Sequence, residues 1–335
     1  MSRAWCHEGG LISVMRLFRR PGPGARPFFA PLSLGSMASA AARKGFDSVG
    51  RPCLRDYFIH YPAENIGKTE IAPVVAIGRD EADLSDPAAC AAVIASRSPG
   101  AVINAAAYTG VDKAEEEETL ATLVNGEAPK AMAKACALLD IPFVHISTDY
   151  VFDGSGHRPW QTSDPRYPSN AYGRSKLKGE RGVEEAGGRF AVLRTSWVFS
   201  SHGNNFLKTM VRLSETRSEL KVVDDQIGGP TPAADIADAC LTIARALQQD
   251  AGKSGLYHFS GTPNVSWAHF ARTIFDAAGR EVSVLGIPTS EYPTPAARPL
   301  NSRLDCSETA EAFGIAQPDW RGAVKQILDE LEIAP

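Results

Sequence analysis

Cysteine is scarce and scattered: Cys6, Cys53, Cys90, Cys136, Cys240 and Cys306 are the six in 335 residues. None forms a C-x-x-C pair and none has a histidine at zinc-ligand spacing, so no metal site is expected. The spacing favours reduced thiols in a cytoplasmic protein over a disulfide framework. Long apolar runs are missing too. None reaches the roughly 18–20 residues that a membrane span requires. Excess positive charge is absent: 35 basic residues face 39 acidic ones, for a net charge of -4. No basic stripe with interleaved aromatics follows residue 46, so nucleic acid is not an expected partner. What remains, 44% hydrophobic and 22% charged residues, is an ordinary globular composition. The length suits one large α/β domain or two lobes.

Charge is unevenly placed. Residues 1–46 hold six Arg and one Lys against the single acid Glu8, or +6, leaving 28 basic and 38 acidic residues, or -10, for the rest. Pro21, Pro23, Pro27 and Pro31 interrupt this segment, and it shows no clean period. An Arg-rich, acid-poor start suits a transit peptide. A poorly ordered or misassigned start is the preferred reading. Residues 1–73 are therefore set apart as an atypical segment.

From Val74 onward strands and helices alternate. Short apolar runs at Val74–Ile77, Ala101–Asn104, Ile141–Ile146 and Phe190–Arg194 read as strands. Asp86 and Pro87 read as the cap and first position of a helix, Thr119–Leu139 has helical periodicity, and Tyr172–Glu185 reads as a helix. This alternation predicts an α/β fold with a doubly wound parallel sheet and right-handed crossovers. Ligands of such sheets bind at the carboxyl ends of the strands, where Asn104, Ser147 and Thr195 fall. Residues 74–200 are expected to form a dinucleotide-binding core. Residues 201–335, with Pro and Gly clusters at 228–232 and 288–299, are expected to form mainly a smaller substrate lobe, part of it returning to the core.

The chemistry concentrates in Ser169-Asn-Ala-Tyr-Gly-Arg-Ser-Lys176. Tyr172 and Lys176 are four apart, so on a helix they share one face with about 5–6 Å between them. An ammonium beside a phenol favours phenolate, which predicts a lowered Tyr172 pKa and an acid usable near neutrality. Upstream, Thr148 in Ser147-Thr-Asp-Tyr150 lies at a strand end. Its hydroxyl suits a donor to the same carbonyl oxygen, or a turn cap. Asp112 and Glu115–Glu118 read as solvated charge at a helix start. His145, His157, His202 and His258 share no metal-like spacing and receive no role.

Seven runs together resemble the dTDP-4-dehydrorhamnose reductase family of extended short-chain dehydrogenase/reductases. They are Asn104-Ala-Ala-Ala-Tyr-Thr-Gly-Val-Asp-Lys-Ala-Glu115, Ser147-Thr-Asp-Tyr-Val-Phe-Asp-Gly154, Asn170-Ala-Tyr-Gly-Arg-Ser-Lys176, Arg194-Thr-Ser-Trp-Val-Phe199, Gly203-Asn-Asn-Phe206, Asp225-Gln-Ile-Gly-Gly-Pro-Thr231 and Arg298-Pro-Leu-Asn-Ser-Arg303. The resemblance covers about residues 74–333. It implies a Rossmann-like core and NADPH-dependent reduction of the 4-keto group of dTDP-6-deoxy-L-lyxo-4-hexulose to dTDP-L-rhamnose. NADH, a homodimer and Mg2+ stay open; no residue pattern indicates Mg2+.

By the same resemblance Tyr172 is the acid, Thr148 its partner at the carbonyl oxygen, and Lys176 the cation at the nicotinamide ribose. Asp83 and Leu84 match the adenine-contacting pair, Arg79 stands where it could meet a 2′-phosphate, and Ala105, Ala106 and Ala107 allow close approach of the cofactor. Tyr150, Trp197, Asn205, Gln226 and Arg298 are the candidate substrate contacts, with Arg298 facing the diphosphate. The family's opening Gly-x-x-Gly-Gln-x-Gly turn has no counterpart. Arg20-Pro-Gly-Pro-Gly-Ala-Arg26 stands in its place, with Gly22 and Gly24 flanked by prolines that lack amide donors. Two other readings stay open. A nucleotide-sugar epimerase or dehydratase is one, although dehydratases of this superfamily carry Asp-Glu after the threonine and here Asp149-Tyr150 follows. The other is a non-catalytic binding module similar to the methionine adenosyltransferase β subunit.

Overall fold

The computed structural model describes residues 11–12, 15–19 and 74–333, the first two segments as backbone only. The Arg20–Arg26 run with Gly22 and Gly24, most of the Arg-rich start and residues 47–72 lie outside the described residues.

Six strands form the main sheet in the order Gly255–His258, Phe190–Thr195, Phe143–Thr148, Pro99–Asn104, Met15–Arg19, Val74–Ile77. The first four run parallel in successive pairs. Their middle members are buried along almost their whole length. A parallel sheet covered on both faces calls for such near-continuous apolar runs. Met15–Arg19 is antiparallel to both of its neighbours, so Val74–Ile77 keeps the direction of the other four. Five strands therefore run parallel as expected, and an antiparallel strand is inserted between Pro99–Asn104 and the edge strand Val74–Ile77.

Helices cover both faces. Pro87–Arg97, Ala128–Leu138 and Ala171–Ala186 pack on one side, around Ile94, Val102, Met132 and Phe143. Ala233–Gln249 packs on the other, against Val144, Ala191 and Leu193. A second apolar cluster joins Phe206–Ser214, Trp267–Ala277 and Trp320–Glu330 to the paired strands Glu219–Val223 and Ser283–Ile287. The caps follow local chemistry: Asp86 accepts from the amides of Ala88 and Ala89, Asn170 from Gly173, and Ser266 from His269.

The helix expected over Thr119–Leu139 is broken. Glu118–Thr122 is α-helical, Leu123–Glu127 is a π-turn, and Ala128–Leu138 resumes the α-helix. The cause is Pro129. Its ring nitrogen carries no hydrogen for the Asn125 carbonyl four residues back, and the ring would crowd that carbonyl in a regular helix. The widened turn brings the Asn125 carbonyl against Gly179 of the Ala171–Ala186 helix. A Cβ on Gly179 would stand 2.1 Å from that oxygen. Nearer the start of the same helix, a Cβ on Gly173 would stand 2.2 Å from the Tyr150 carbonyl. These two glycines seat the helix close enough for its side chains to reach the strand ends.

Gly179→Ala is expected to destabilise the protein by roughly 1–3 kcal/mol in denaturant unfolding, as overpacking does. Gly322→Ala, in a helix with nothing within 4 Å of the added methyl, is expected to be neutral or stabilising by up to about 1 kcal/mol.

Candidate active site

The site is built from one helix face above two polar rows of the sheet. Tyr172, Lys176 and Glu180 are spaced by four on Ala171–Ala186 and share a face. Beneath them, His145 and Ser147 point to the same side of their strand because side chains alternate. Register then extends each into a row. His145 lies opposite Asn104, while Ser147 lies opposite Arg194, itself opposite His258.

The second row anchors the helix. Glu180 and Arg194 are fully buried and bonded twice, with Nε to Oε1 at 2.9 Å and Nη2 to Oε2 at 2.9 Å. Ser147 Oγ donates to Glu180 Oε1 at 2.6 Å, and Arg166 donates to Oε2 at 3.2 Å. Burial alone would raise the Glu180 pKa; the charge and hydrogen bonds of Arg194, with those of Ser147 and Arg166, outweigh it and hold the carboxyl below its ordinary value. His258 Nε2 lies 3.1 Å from Arg194 and its Nδ1 lies 3.0 Å from the Trp160 carbonyl. Burial, with Arg194 adding to it, pushes the His258 pKa down to about 3.

At the strand ends Thr148 and Tyr172 adjoin, with Lys176 one helical turn further along. The Thr148 hydroxyl lies close enough to Tyr172 to act on its phenol. Thr148 Oγ1 donates to Asp149 Oδ1 at 3.0 Å and accepts from the Tyr150 amide at 3.2 Å, so it also caps a turn. The Tyr150 ring stands edge-on to Tyr172 with centroids 5.6 Å apart. Lys176 is buried; its Nζ donates to the Ile146 carbonyl at 2.7 Å and lies 3.3 Å from His145 Nε2. Burial lowers its pKa to about 8, with Glu180 opposing.

The expected fall in the Tyr172 pKa is not found. Burial raises it, and the Asp149 charge raises it further against the Thr148 hydrogen bond. Spacing predicted that Lys176 shares a face with Tyr172, but its ammonium is turned toward the Ile146 carbonyl. Asp149 is itself raised to about 6 by burial, against hydrogen bonds that include those of Ser302 and Thr148. Its Oδ2 and Thr195 Oγ1 are buried without hydrogen-bond partners in the protein, at the ends of adjacent strands.

The remaining expected residues divide. Arg79 is exposed just beyond Val74–Ile77 and bonds Asp83 Oδ2 at 2.9 Å; Leu84 is buried beside them. Ala106 is buried next to Asn104, between the half-buried Ala105 and Ala107. Trp197 stacks on Trp267 with centroids 3.6 Å apart. Its φ is 49°, a left-handed backbone costing on the order of 1–3 kcal/mol in a bulky residue. Gln226 joins this platform, accepting from Trp267 Nε1 at 3.2 Å and donating to Thr289 at 3.1 Å. Asn205 is a helix cap, accepting from Lys208 and donating to the Ser200 carbonyl. Arg298 is held by Asp112 at 2.8 Å. Asp112 is thus not merely solvated charge, and Glu115 likewise accepts from the Ala171 amide at 2.8 Å. Glu180, Arg194, His145 and His258 were missed by sequence reasoning. Their partners lie on other elements, and the one signal available, for the three strand residues, was a polar side chain inside an otherwise apolar strand.

Residues 64–333 match the family described as RmlD substrate binding domain. A dTDP-4-dehydrorhamnose reductase of Burkholderia thailandensis is 47% identical over 266 residues, covering 76% of this chain and 89% of that protein. The crystal structure of a dTDP-4-dehydrorhamnose reductase from Clostridium acetobutylicum is similar with a TM-score of 0.72 at 36% identity, covering 76% of this chain and 89% of that one. The dTDP-4-dehydrorhamnose reductase of Bacillus anthracis, solved in complex with NADP, gives a TM-score of 0.70 at 36% identity with the same coverage.

Two expectations follow from the anchoring row. Glu180→Gln leaves Arg194 buried without its counter-charge and is expected to cost about 3–5 kcal/mol in unfolding free energy. His258 has a folded pKa of about 3 against an unfolded one of about 6.5. The unfolded state binds the extra proton between them, so this stability is present above pH ~6.5 and lost as pH falls toward 3. Denaturant titrations from pH 7 to 4 should show His258→Gln declining less steeply than wild type, by up to about 1.4 kcal/mol per pH unit.

Proposed function

Because the chain belongs to the dTDP-4-dehydrorhamnose reductase family, we propose that it reduces the 4-keto group of dTDP-6-deoxy-L-lyxo-4-hexulose with NADPH, the last step to dTDP-L-rhamnose. The observation that carries the residue roles is that Tyr172 adjoins Thr148 at the carboxyl ends of the parallel strands while Lys176, one turn along the same helix, bonds the Ile146 carbonyl.

The residues present fit the cofactor. Lys176 is buried, and its immediate partners are a carbonyl and an imidazole rather than a carboxylate, so its amine has donors suited to ribose hydroxyls. Arg79 offers a guanidinium beyond Val74–Ile77 for a 2′-phosphate, and Asp83 and Leu84 stand beside it for the adenine. Ala105, Ala106 and Ala107 present little bulk to the same edge. When bound, NADPH supplies the hydride to the sugar C4.

The protein's own part is proton supply and orientation. Tyr172 gives its proton to the carbonyl oxygen as the C–H bond forms, so ketone becomes alcohol and the phenol becomes phenolate. A phenol kept protonated by burial is a competent donor at neutral pH, and Thr148 donates to the same oxygen once its hydroxyl hydrogen turns from Asp149. The orphaned Asp149 Oδ2 and Thr195 Oγ1 supply polar atoms for sugar hydroxyls. Trp197 on Trp267, with Gln226, forms an aromatic face for the sugar or base. Tyr150 lies near Arg298, which serves the diphosphate once it exchanges Asp112 for phosphate oxygens, and Asn205 is assigned to the substrate by the family resemblance. The free buried thiols of Cys90, Cys136, Cys240 and Cys306 support a cytoplasmic setting.

The test is NADPH oxidation followed at 340 nm with dTDP-6-deoxy-L-lyxo-4-hexulose. Tyr172→Phe is expected to lower kcat by on the order of 10²–10⁴-fold. Thr148→Val is expected to cost about 2.7–4 kcal/mol in the barrier. Folded wild-type protein that binds NADPH without turnover would instead support a binding module. Loss of water from the sugar would support a dehydratase.

A further inference from the structure

The first polar row carries a consequence for Lys176 that follows from counting donors. The Ala106 amide can only donate, and it lies 3.1 Å from Asn104 Oδ1. This fixes the orientation of the Asn104 side-chain amide. Its other arm, Nδ2, which also can only donate, lies 3.1 Å from His145 Nδ1. His145 Nδ1 must therefore offer a lone pair. His145 is fully buried, and burial alone holds its pKa well below the ordinary value, so the ring is neutral. A neutral imidazole with a bare Nδ1 carries its hydrogen on Nε2. That hydrogen faces Lys176 Nζ at 3.3 Å.

An ammonium at that position meets a donor with a donor. A neutral amine, which has a lone pair, accepts the Nε2–H while still donating to the Ile146 carbonyl. We propose that His145, locked in its Nε2–H tautomer by Asn104 and the Ala106 amide, is a positioning residue that stabilises the neutral amine of Lys176 and so makes this lysine a stronger acid. This deepens the reductase reading and rests on it for its catalytic meaning. The proton balance is simple: the ammonium releases one proton to solvent water, and the amine lone pair left behind accepts the Nε2–H without any transfer to the imidazole.

Other groups face Lys176. Glu180, one turn further along its own helix, opposes the effect, but both of its oxygens are committed to Arg194, Ser147 and Arg166. Tyr172 lies one turn back, beyond it Asp149, bonded to Thr148. The π-turn packed beside the helix contributes the neutral Asn125, which is bonded to Ser175. Phe143 stacks on His145 with ring centroids 6.2 Å apart and adds no charge. Among the described residues, His145 is thus the neighbour whose hydrogen-bonding polarity distinguishes amine from ammonium.

The test uses ligand-free protein, so it needs no turnover. Long-range ¹H–¹⁵N spectra of the histidine rings, assigned with His145→Phe, should show His145 neutral with Nε2 protonated and Nδ1 bare. A protonated Nδ1 overturns the proposal, and this reading needs no variant to fold. The lysine side-chain amine resonance lost in Lys176→Met is then titrated in wild type and in His145→Phe. The lysine pKa should rise by roughly one unit in His145→Phe, about the weight of one hydrogen bond lost by the neutral form. An unchanged or lowered value overturns the proposal. Asn104→Asp should move the imidazole hydrogen to Nδ1; retention on Nε2 would show that Asn104 does not set the tautomer and would also overturn it. If these shifts occur and the substrate is still not reduced, the reductase reading fails while the tautomer control stands.

Discussion

The buried pair of Glu180 and Arg194 is the constraint on which the site depends. Neither charge is tolerable alone in the interior, and each is satisfied only when the Ala171–Ala186 helix lies in one place over the sheet. The pair fixes the rotation of that helix about its axis as well as its height. Once Glu180 is bound over Ser147 and Arg194, Lys176 falls over His145 and Ile146, and Tyr172 falls at Thr148. The polar groups therefore act as registration marks, while the apolar cluster around Val102 and Phe143 supplies most of the burial.

This arrangement also explains the close seat of the helix. Gly173 and Gly179 remove the Cβ atoms that would strike the Tyr150 and Asn125 carbonyls. Pro129 leaves the Asn125 carbonyl without its usual helical partner and widens the turn that meets Gly179. Two exceptions to regular helix chemistry, one on each partner, thus produce a single contact. Phe152 closes the far side, stacked on Trp160 and lying 5.1 Å from the Arg194 guanidinium.

Much of this was legible from residue order. Strand–helix alternation, the Asp86 cap and the placement of Asn104, Ser147 and Thr195 at strand ends all depend on local pattern, and local pattern carried them. What was not legible depends on register or direction. His145 gains meaning only because Asn104 is opposite it, and Arg194 only because Ser147 is; neither pairing has a signal along the chain. The Tyr172 pKa was expected to fall because spacing reports which residues are neighbours. It does not report that Lys176 points at a backbone carbonyl, or that Asp149 lies near the phenol. The break at Leu123–Glu127 was signalled by Pro129, but apolar periodicity alone ran straight through it.

The antiparallel strand Met15–Arg19 reverses the polarity of the sheet next to its Val74–Ile77 edge. Met15 stands opposite both Asn104 and Ile77, so it is the amino end of this strand that shares an edge with the carboxyl ends of its neighbours. Just before it in the chain, Leu11–Ile12 pairs with Ala107–Tyr108 at that same edge. Backbone therefore enters the sheet where, in a uniformly parallel sheet, it would leave. The rim beside Ala107 is framed by the segment leading into the strand, and a dinucleotide there would meet a main chain running toward the sheet rather than away from it.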